Sequence, residues 1–491
     1  MAVTVRRRNA LRGRSAGSQR GEGLDMLVLV PPDFIFHPVE GGIPTRDEAR
    51  FLPYGALSIA SFLRSRGQRA MVAPLQWYFQ RGTRYRHFDD GTEASREAFE
   101  QRTRHVLEAL MRRLRPRALG VSIGYAIHHS AAEIILGYLH RFWPEIPVLV
   151  GGNHATHTRE HWLNACRGVD AVVCGPGEAA TLAWLEARRS PAAPAALRRH
   201  RADDEAASLA VPVDLDLAAL PHWAPVGGFM HLLATSRGCS HRCAFCTSRL
   251  MWRRRQGRPR EAYTAELEGL VARGVDRVLL ADDMLDPRDS GFAELVDVLA
   301  RFESIRFGAP LRLDSLRHCN PRSLTRAHIE EVFVGLESFS PEILRAMRKD
   351  LRVDCLARID TDLCRLRDAG LKVTLFMLVG HPGATRSLDM VSIERCQTLV
   401  ERGVITGLSA VHVAPYPGTA LASMVERGRL RIIEPRMNRW TLDRPIVEEL
   451  DPAGRPVYPE AEQRATFEAF QDICRRTSAY VERQRARLRG T

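Results

Sequence analysis

Lysine is almost absent: of 71 basic residues only Lys349 and Lys372 are lysines, and the rest are arginine. Such a bias is typical of GC-rich coding sequence and points to a GC-rich bacterium. The first 23 residues are also Arg-rich and acid-poor, as transit peptides are, but the same bias accounts for that. Long apolar runs are missing too. No stretch approaches 18 uninterrupted apolar residues, which argues against a membrane span and leads us to expect a cytoplasmic protein. Paired cysteine spacings are lacking among Cys166, Cys174, Cys319, Cys355, Cys364, Cys396 and Cys474, so a disulfide framework is not expected. These thiols read as small buried apolar residues. Cys319, just after an apparent strand Leu311–Leu316, is a candidate pocket thiol.

An excess of one charge sign is largely missing from the body. The net charge is +13, but residues 1–23 and 475–491 each hold six Arg against one Glu. A nucleic-acid-binding surface is therefore not expected, and residues 1–24 read as a disordered basic tail. One internal basic cluster remains, Arg253, Arg254, Arg255, Arg258 and Arg260. It reads as a solvated loop or as a docking patch for an anionic substrate or an acidic electron donor. With 491 residues, 45% of them hydrophobic and 26% charged, the chain is of globular type and long enough for two or three domains.

What is present is a thiol triplet. Cys239, Cys243 and Cys246 lie at C-x3-C-x2-C spacing directly after an apolar segment. Three thiolates on one loop can hold three irons of a [4Fe-4S] cluster, which normally takes four cysteines; the fourth iron is left open to another ligand. A zinc knuckle completed by His241 is the alternative. Zinc ligands usually come as two separated pairs, and His241 inside the first interval would be strained. It is expected to be a solvated loop residue.

Around the triplet the pattern is α/β. Apolar runs at Met26–Val30, Ala70–Ala73, Ala118–Ile123, Val148–Val150 and Ala171–Cys174 alternate with helical periodicity, predicting a doubly wound (Rossmann-like) domain over 25–188. Residues 189–228 lack periodicity and read as a linker. From 229 to 429 the alternation resumes, with strands at His231–Ser236, Arg277–Ala281, Leu311–Leu316, Glu331–Leu336, Lys372–Val379 and Gly407–Val413. This predicts a partial (β/α)6 barrel whose chemistry gathers at the carboxyl ends of the strands. Residues 430–491 read as a polar connection followed by an amphipathic helix, Glu460–Leu488.

The triplet, with Phe245 preceding the third cysteine, resembles the motif of radical S-adenosylmethionine (radical SAM) enzymes. The resemblance implies that the open iron binds S-adenosylmethionine. It further implies roles for Glu337 and Ser338 of the run Gly335–Ser340 at the ribose, for Gly380 and Pro382 of the run Leu378–Gly383 near adenine, and for Asp282 and Asp283 at the methionine amino group. Pro415–Thr419 matches a frequent sixth-strand turn. Upstream, Gly124, the run Gly151-Gly152-Asn153-His154-Ala-Thr156, and Gly175 resemble the cobalamin-binding domain that precedes many such barrels, and imply loops that hold a corrin. The Asp-x-His-x-x-Gly segment that supplies a cobalt ligand elsewhere is missing, so His154 is expected to be structural. The family implied is thus the cobalamin-binding-domain radical SAM enzymes. The expected activity is cobalamin-dependent methyl transfer to an unactivated carbon or a phosphinate phosphorus of a small or carrier-bound intermediate in antibiotic or other secondary metabolism. Flavodoxin or ferredoxin would supply electrons. Alternatives are a radical dehydratase, epimerase, cyclase or oxidase, and a transfer-RNA methylthiotransferase; the latter would need three further N-terminal cysteines, where only Cys166 and Cys174 occur.

Overall fold

The run Met26–Val30, Met-Leu-Val-Leu-Val, is apolar on both faces, as a parallel strand covered by helices on either side must be. In a computed structural model the chain is described over residues 23–32, 52–79, 93–188, 199–200, 206–221, 231–252, 254–349, 353–440 and 444–488. The basic-tail reading, apart from Gly23 and Leu24, lies outside these residues, as does Arg253.

The first sheet holds β1 (Met26–Val30), β2 (Ala70–Pro74), β3 (Leu119–Ser122), β4 (Val148–Gly151), β5 (Ala171–Val173) and β6 (Arg199–His200). All pair in parallel, in the order β2-β1-β3-β4-β5-β6. Strand alternation sorts β1 between two cores. Leu27 and Leu29 pack with Val121, Ile135 and Trp162, while Met26 and Val28 pack with Leu57, Leu63 and Trp184. The strand order reverses between β1 and β3, which makes the crevice beyond their carboxyl ends the expected ligand site.

Part of the expected linker is structured. It contributes β6, and Val213 and Leu217 are buried in the first domain's core. A short connection rich in Ala and Pro carries little periodicity, so its docking was not legible.

The second sheet contains β7 (His231–Leu233), then, after a small antiparallel ribbon of β8 (Ser236–Arg237) and β9 (Gln256–Gly257), β10 (Arg277–Leu280), β11 (Arg306–Arg312), β12 (Ile329–Glu337), β13 (Lys372–Val379) and β14 (Gly407–His412). The six main strands are parallel and follow chain order, β7-β10-β11-β12-β13-β14. Two expectations are corrected here. The first barrel strand is split into β7 and β8. The strand expected at Leu311–Leu316 ends at Arg312, and Leu313–His318 forms 3-10 turns. The true strand starts at Arg306, where Arg-Phe-Gly-Ala-Pro carries glycine and proline that read as turn signals. Cys319 is correspondingly in the barrel core, not a pocket, and burial pushes its thiol up to about 11.

A ribbon of β15 (Leu430–Ile432) and β16 (Val447–Glu449) follows β14, and the helix Glu460–Leu488 then packs along the β14 edge. Phe467 lies against His412 with ring centroids 4.8 Å apart, and Cys474 Sγ donates to Leu408 O at 3.0 Å. Among the described residues no helix is long and apolar enough to cross a membrane.

Arg258 joins the two sheets' domains. It is buried, and its guanidinium donates to Tyr54 Oη (2.7 Å), to the carbonyls of Leu209, Val211 and Ala234, and to Glu266. The basic cluster is therefore not one solvated patch. Arg255 pairs with Asp289, and among the described residues of the cluster Arg254 and Arg260 are exposed.

Candidate functional site

The cysteine loop springs from β8 and returns through β9, so both ends are clamped on one ribbon at the carboxyl end of β7. Gly238 opens it with φ +84°, and a Cβ there would lie 2.6 Å from Arg254 O, so only glycine fits. Gly238 N donates to Asp283 Oδ2 at 2.8 Å, and Ala244 N donates to Met347 O at 2.8 Å. Cys239 and Cys243 are half-buried and Cys246 is exposed; none is in a disulfide. Burial raises the Cys239 thiol, a shift that a bound cation would reverse.

The spacing of donors favours a cluster over a closed zinc site. Among the described residues, Cys239, Cys243, Cys246 and His241 supply no three donor atoms within 4.8 Å of one another. A tetrahedral zinc with Zn–S about 2.3 Å would hold them within roughly 4 Å. Three separated thiols with no fourth suit a larger iron–sulfur group. His241 departs from expectation, because its Nε2 is buried and without a hydrogen-bond partner.

Sequence reasoning missed two cations beside the loop. Arg312, at the end of β11, points Nη1 at Cys243 Sγ, 3.5 Å away, pairs through Nε with Asp314 (2.6 Å) and donates to Lys349 O. Lys349 in turn donates to Glu337 Oε1 at 2.8 Å and to Gly335 O. Rarity was the available signal for Lys349, one of two lysines in the chain.

The carboxylates of the second strand divide their work. Asp282 is buried, and both oxygens are engaged, by Thr235 N (3.0 Å), Thr235 Oγ1 (2.9 Å) and Ser236 Oγ. Burial raises its pKa and these donors oppose the rise. Asp283 is exposed beside the loop it supports. Glu337 sits at a bulge between β12 and β13 with φ +74°. Ser338 is buried, its Oγ accepting from Ser340 N at 3.0 Å. Gly380 has φ +77°, and a Cβ there would meet Gln463 Oε1 at 2.2 Å, so the C-terminal helix rests on this turn. Pro382 is buried and its carbonyl lies 2.8 Å from His381 Nδ1. Gly383 N donates to Glu449 Oε2 at 2.6 Å.

In the first domain, Gly152 has φ +108° and a Cβ there would lie 2.5 Å from Ile123 O, so glycine is required where the chain leaving β4 passes the end of β3. Gly124 differs. A Cβ there would meet nothing within 4 Å, although it lies at the switch point, and neighbouring Tyr125 is 67% exposed. Open space at a strand end is a cradle for a large planar group. His154 is buried and bonded to His129 Nδ1 at 2.9 Å.

The two sets of loops meet. Asn153 Nδ2 lies 3.5 Å from Thr247 Oγ1, one residue past the third cysteine, and Thr156 Oγ1, 3.1 Å from Gly175 N, also lies 3.7 Å from Met251 Sδ. Arg237, two residues before Cys239, donates to Glu178 Oε1 and Ser58 Oγ, each at 2.7 Å. An apolar cluster joins Ala126, after β3, to Phe245, Tyr416 and Trp440. Carboxyl ends of both sheets thus face one junction.

Residues 87–185 match the family model for the B12 binding domain, and residues 233–391 match that for the radical SAM superfamily. The solved structure of the radical S-adenosylmethionine methyltransferase TsrM from Kitasatospora setae, with cobalamin and [4Fe-4S] cluster bound, is similar over 92% of this chain and 91% of that one, with TM-score 0.61 and 15% identity. The cobalamin-dependent S-adenosylmethionine radical enzyme OxsB is similar over 91% of this chain and 66% of that one, with TM-score 0.57 and 16% identity. Both likenesses are of fold. Among curated sequences, the ribosomal protein uS12 methylthiotransferase RimO of a Synechococcus species is 27% identical over 242 residues, 46% of this chain and 50% of that protein. The chain thus spans about half the length of that relative.

Proposed function

We propose that this chain, which belongs to the radical SAM superfamily and carries a B12-binding domain ahead of its barrel, is a cobalamin-dependent methyltransferase. The acceptor would be an unactivated carbon, or a phosphinate phosphorus, of a free or carrier-bound biosynthetic intermediate. The observation that carries the reading is the junction: Asn153 and Thr156 of the candidate corrin loops lie against Thr247 and Met251, directly after the cluster cysteines. Methyl transfer from one cofactor to a radical made at another requires both within reach of one substrate.

In this reading Cys239, Cys243 and Cys246 hold the [4Fe-4S] cluster. Arg312 places a positive charge beside Cys243, which favours the reduced, more negative state. Glu337, held by Lys349, meets the ribose of S-adenosylmethionine. Asp283 rather than Asp282 faces the methionine amino group, because Asp282 is consumed by the β7–β8 turn. Phe245 walls the adenine side against the turn Gly380–Pro382, and Ser338 fixes the Glu337 bulge. Gly124, Gly151, Gly152, Asn153 and Gly175 form the corrin cradle, with His154 not offered to cobalt, since it is bonded to His129. When bound, the cofactors supply the electron, the radical and the methyl group; the chain orients them and keeps water out. Exposed Arg254 suits an acidic electron donor such as flavodoxin or ferredoxin, while Arg260 is paired with Glu261 and Glu294.

The test is the cofactor content and product of the anaerobically reconstituted full chain. We expect one cobalamin and about four iron per chain, with iron lost on Cys246→Ala but kept on Cys319→Ala, and an acceptor that gains one methyl group. A chain that binds no cobalamin, or an acceptor that loses water or hydrogen, overturns methyl transfer. Iron near eight per chain, about two clusters, would redirect the assignment to a methylthiotransferase.

A further inference from the structure

Behind the loop Gly151–Asn153 lies a group of side chains that neither cluster nor corrin uses. His129 opens the helix His129–Phe142, Glu133 lies one turn further on the same face, and His161 comes from the separate short helix Arg159–Asn164. One donor atom from each converges within 4.8 Å. We propose that His129, Glu133 and His161 bind a divalent zinc ion, with His154 fixing the orientation of His129 and with water completing the tetrahedron on the exposed side of Glu133.

Three observations support this. First, His161 Nε2 lies 2.9 Å from Glu133 Oε1, yet the atom is buried and makes no hydrogen bond. The two groups point past each other, as ligands of a shared ion do. Second, His129 Nδ1 and His154 Nε2 are 2.9 Å apart. With His129 Nδ1–H as donor, its Nε2 lone pair faces Glu133 Oε1 at 3.7 Å. The opposite tautomer would aim an N–H at that carboxylate from too far away to bond. A ligating histidine whose other nitrogen is held by a hydrogen bond is the arrangement metal sites use. Third, the rings of His129 and His161 lie 4.6 Å apart, walled by Trp162 at 4.8 Å from each, so neither imidazole is free to swing away.

Lone pairs and a carboxylate facing one point need a cation between them. Two neutral imidazoles and a carboxylate suit zinc. The ion would pin one helix to the other and so back the loop through His154.

The cysteine loop can itself take zinc when iron is absent, so the test uses the full chain with Cys239, Cys243 and Cys246 all changed to Ala. Stripped with a chelator and titrated with zinc against a chromophoric indicator, this protein is expected to bind one ion per chain. His161→Ala and Glu133→Gln in that background should each weaken binding at least 100-fold, and His154→Ala by roughly 10- to 100-fold. Unchanged far-ultraviolet dichroism of the metal-free Glu133→Gln protein establishes that the loss is of the ligand and not of the fold. No zinc uptake by the triple-cysteine variant, or full uptake after Glu133→Gln and His161→Ala, overturns the site. Neither result depends on cobalamin or cluster, so it leaves the methyltransferase reading to its own test.

Discussion

Lys349 Nζ lies 2.8 Å from Glu337 Oε1, and the lysine side chain is only 3% exposed. In a chain that uses arginine almost everywhere, this position keeps a compact ammonium. Its single nitrogen donates to both the Glu337 carboxylate and Gly335 O, a point contact that differs from the planar fork of a guanidinium. Glu337 itself adopts φ +74°, a conformation that costs a non-glycine residue of the order of 1–3 kcal/mol. The ion pair holds it there, with Oε2 free of hydrogen-bond partners among the described residues.

Lys349→Met is therefore expected to leave a nearly buried carboxylate uncompensated, at a cost of roughly 3–5 kcal/mol. Urea unfolding measures that loss. Calorimetric titration with S-adenosylmethionine should show weaker binding by Lys349→Met and, because the fork misplaces Glu337, by Lys349→Arg as well. Unaltered stability and affinity in both would show that the pair does not position Glu337.

Two glycines of the candidate corrin cradle are expected to behave oppositely. Gly152→Ala puts a Cβ 2.5 Å from Ile123 O at φ +108°, and should cost roughly 2 kcal/mol or more in strain and clash. Gly124→Val meets no protein atom within 4 Å at its Cβ. It should keep its melting temperature but lose most cobalamin binding, followed by visible absorbance of the bound corrin. Cobalamin retained by Gly124→Val would place the corrin elsewhere.

Arg258 offers a test of the contact between domains. Its guanidinium satisfies Tyr54 Oη, Glu266 and three backbone carbonyls at once. Arg258→Met should destabilise by roughly 3–5 kcal/mol by stranding Glu266. Restoring neutrality with Glu266→Gln in the same chain should recover part of the loss. If the double variant is no better than the single, the cost lies in the carbonyls rather than in the charge.

Periodicity made most of this legible. β1 has the bounds expected from its apolar run, because a strand buried on both faces advertises itself by continuous Val, Leu and Met, and β13 has them because its buried residues alternate regularly from Val373 to Val379. β11 did not, because Gly308 and Pro310 interrupt its run, and glycine and proline in a strand read as turns. At the site, residues whose role depends on local spacing were visible: three thiols need only their own loop. Lys349, Arg312 and the Gln463 that presses on Gly380 act across 12, 69 and 83 residues of chain, distances at which no pattern survives in a single sequence. Asp282 shows the converse. Its type and position at a strand end fitted a ligand contact, while the hydroxyls of Thr235 and Ser236 that engage it become neighbours only in the fold.

Asp389 connects the barrel to its C-terminal cover in a pH-dependent way. It lies in the first turns of the helix Arg386–Glu401, is buried, and has one carboxylate oxygen with no partner. Burial pushes its pKa up to about 7, with Tyr458 from the C-terminal region opposing the rise. The folded chain thus holds a proton that the unfolded chain releases near the ordinary carboxylate value. Its stabilising effect is complete below about pH 4 and is lost as pH climbs to about 7, after which the curve is flat in this group. Asp389→Asn removes the dependence. The stability of the variant relative to the parent should therefore rise between pH 5 and pH 8 by roughly 2–3 kcal/mol, measured by urea unfolding at both values. A difference between the two proteins that stays constant over that interval would mean the carboxyl is already ionised in the fold, with Tyr458 as a sufficient partner.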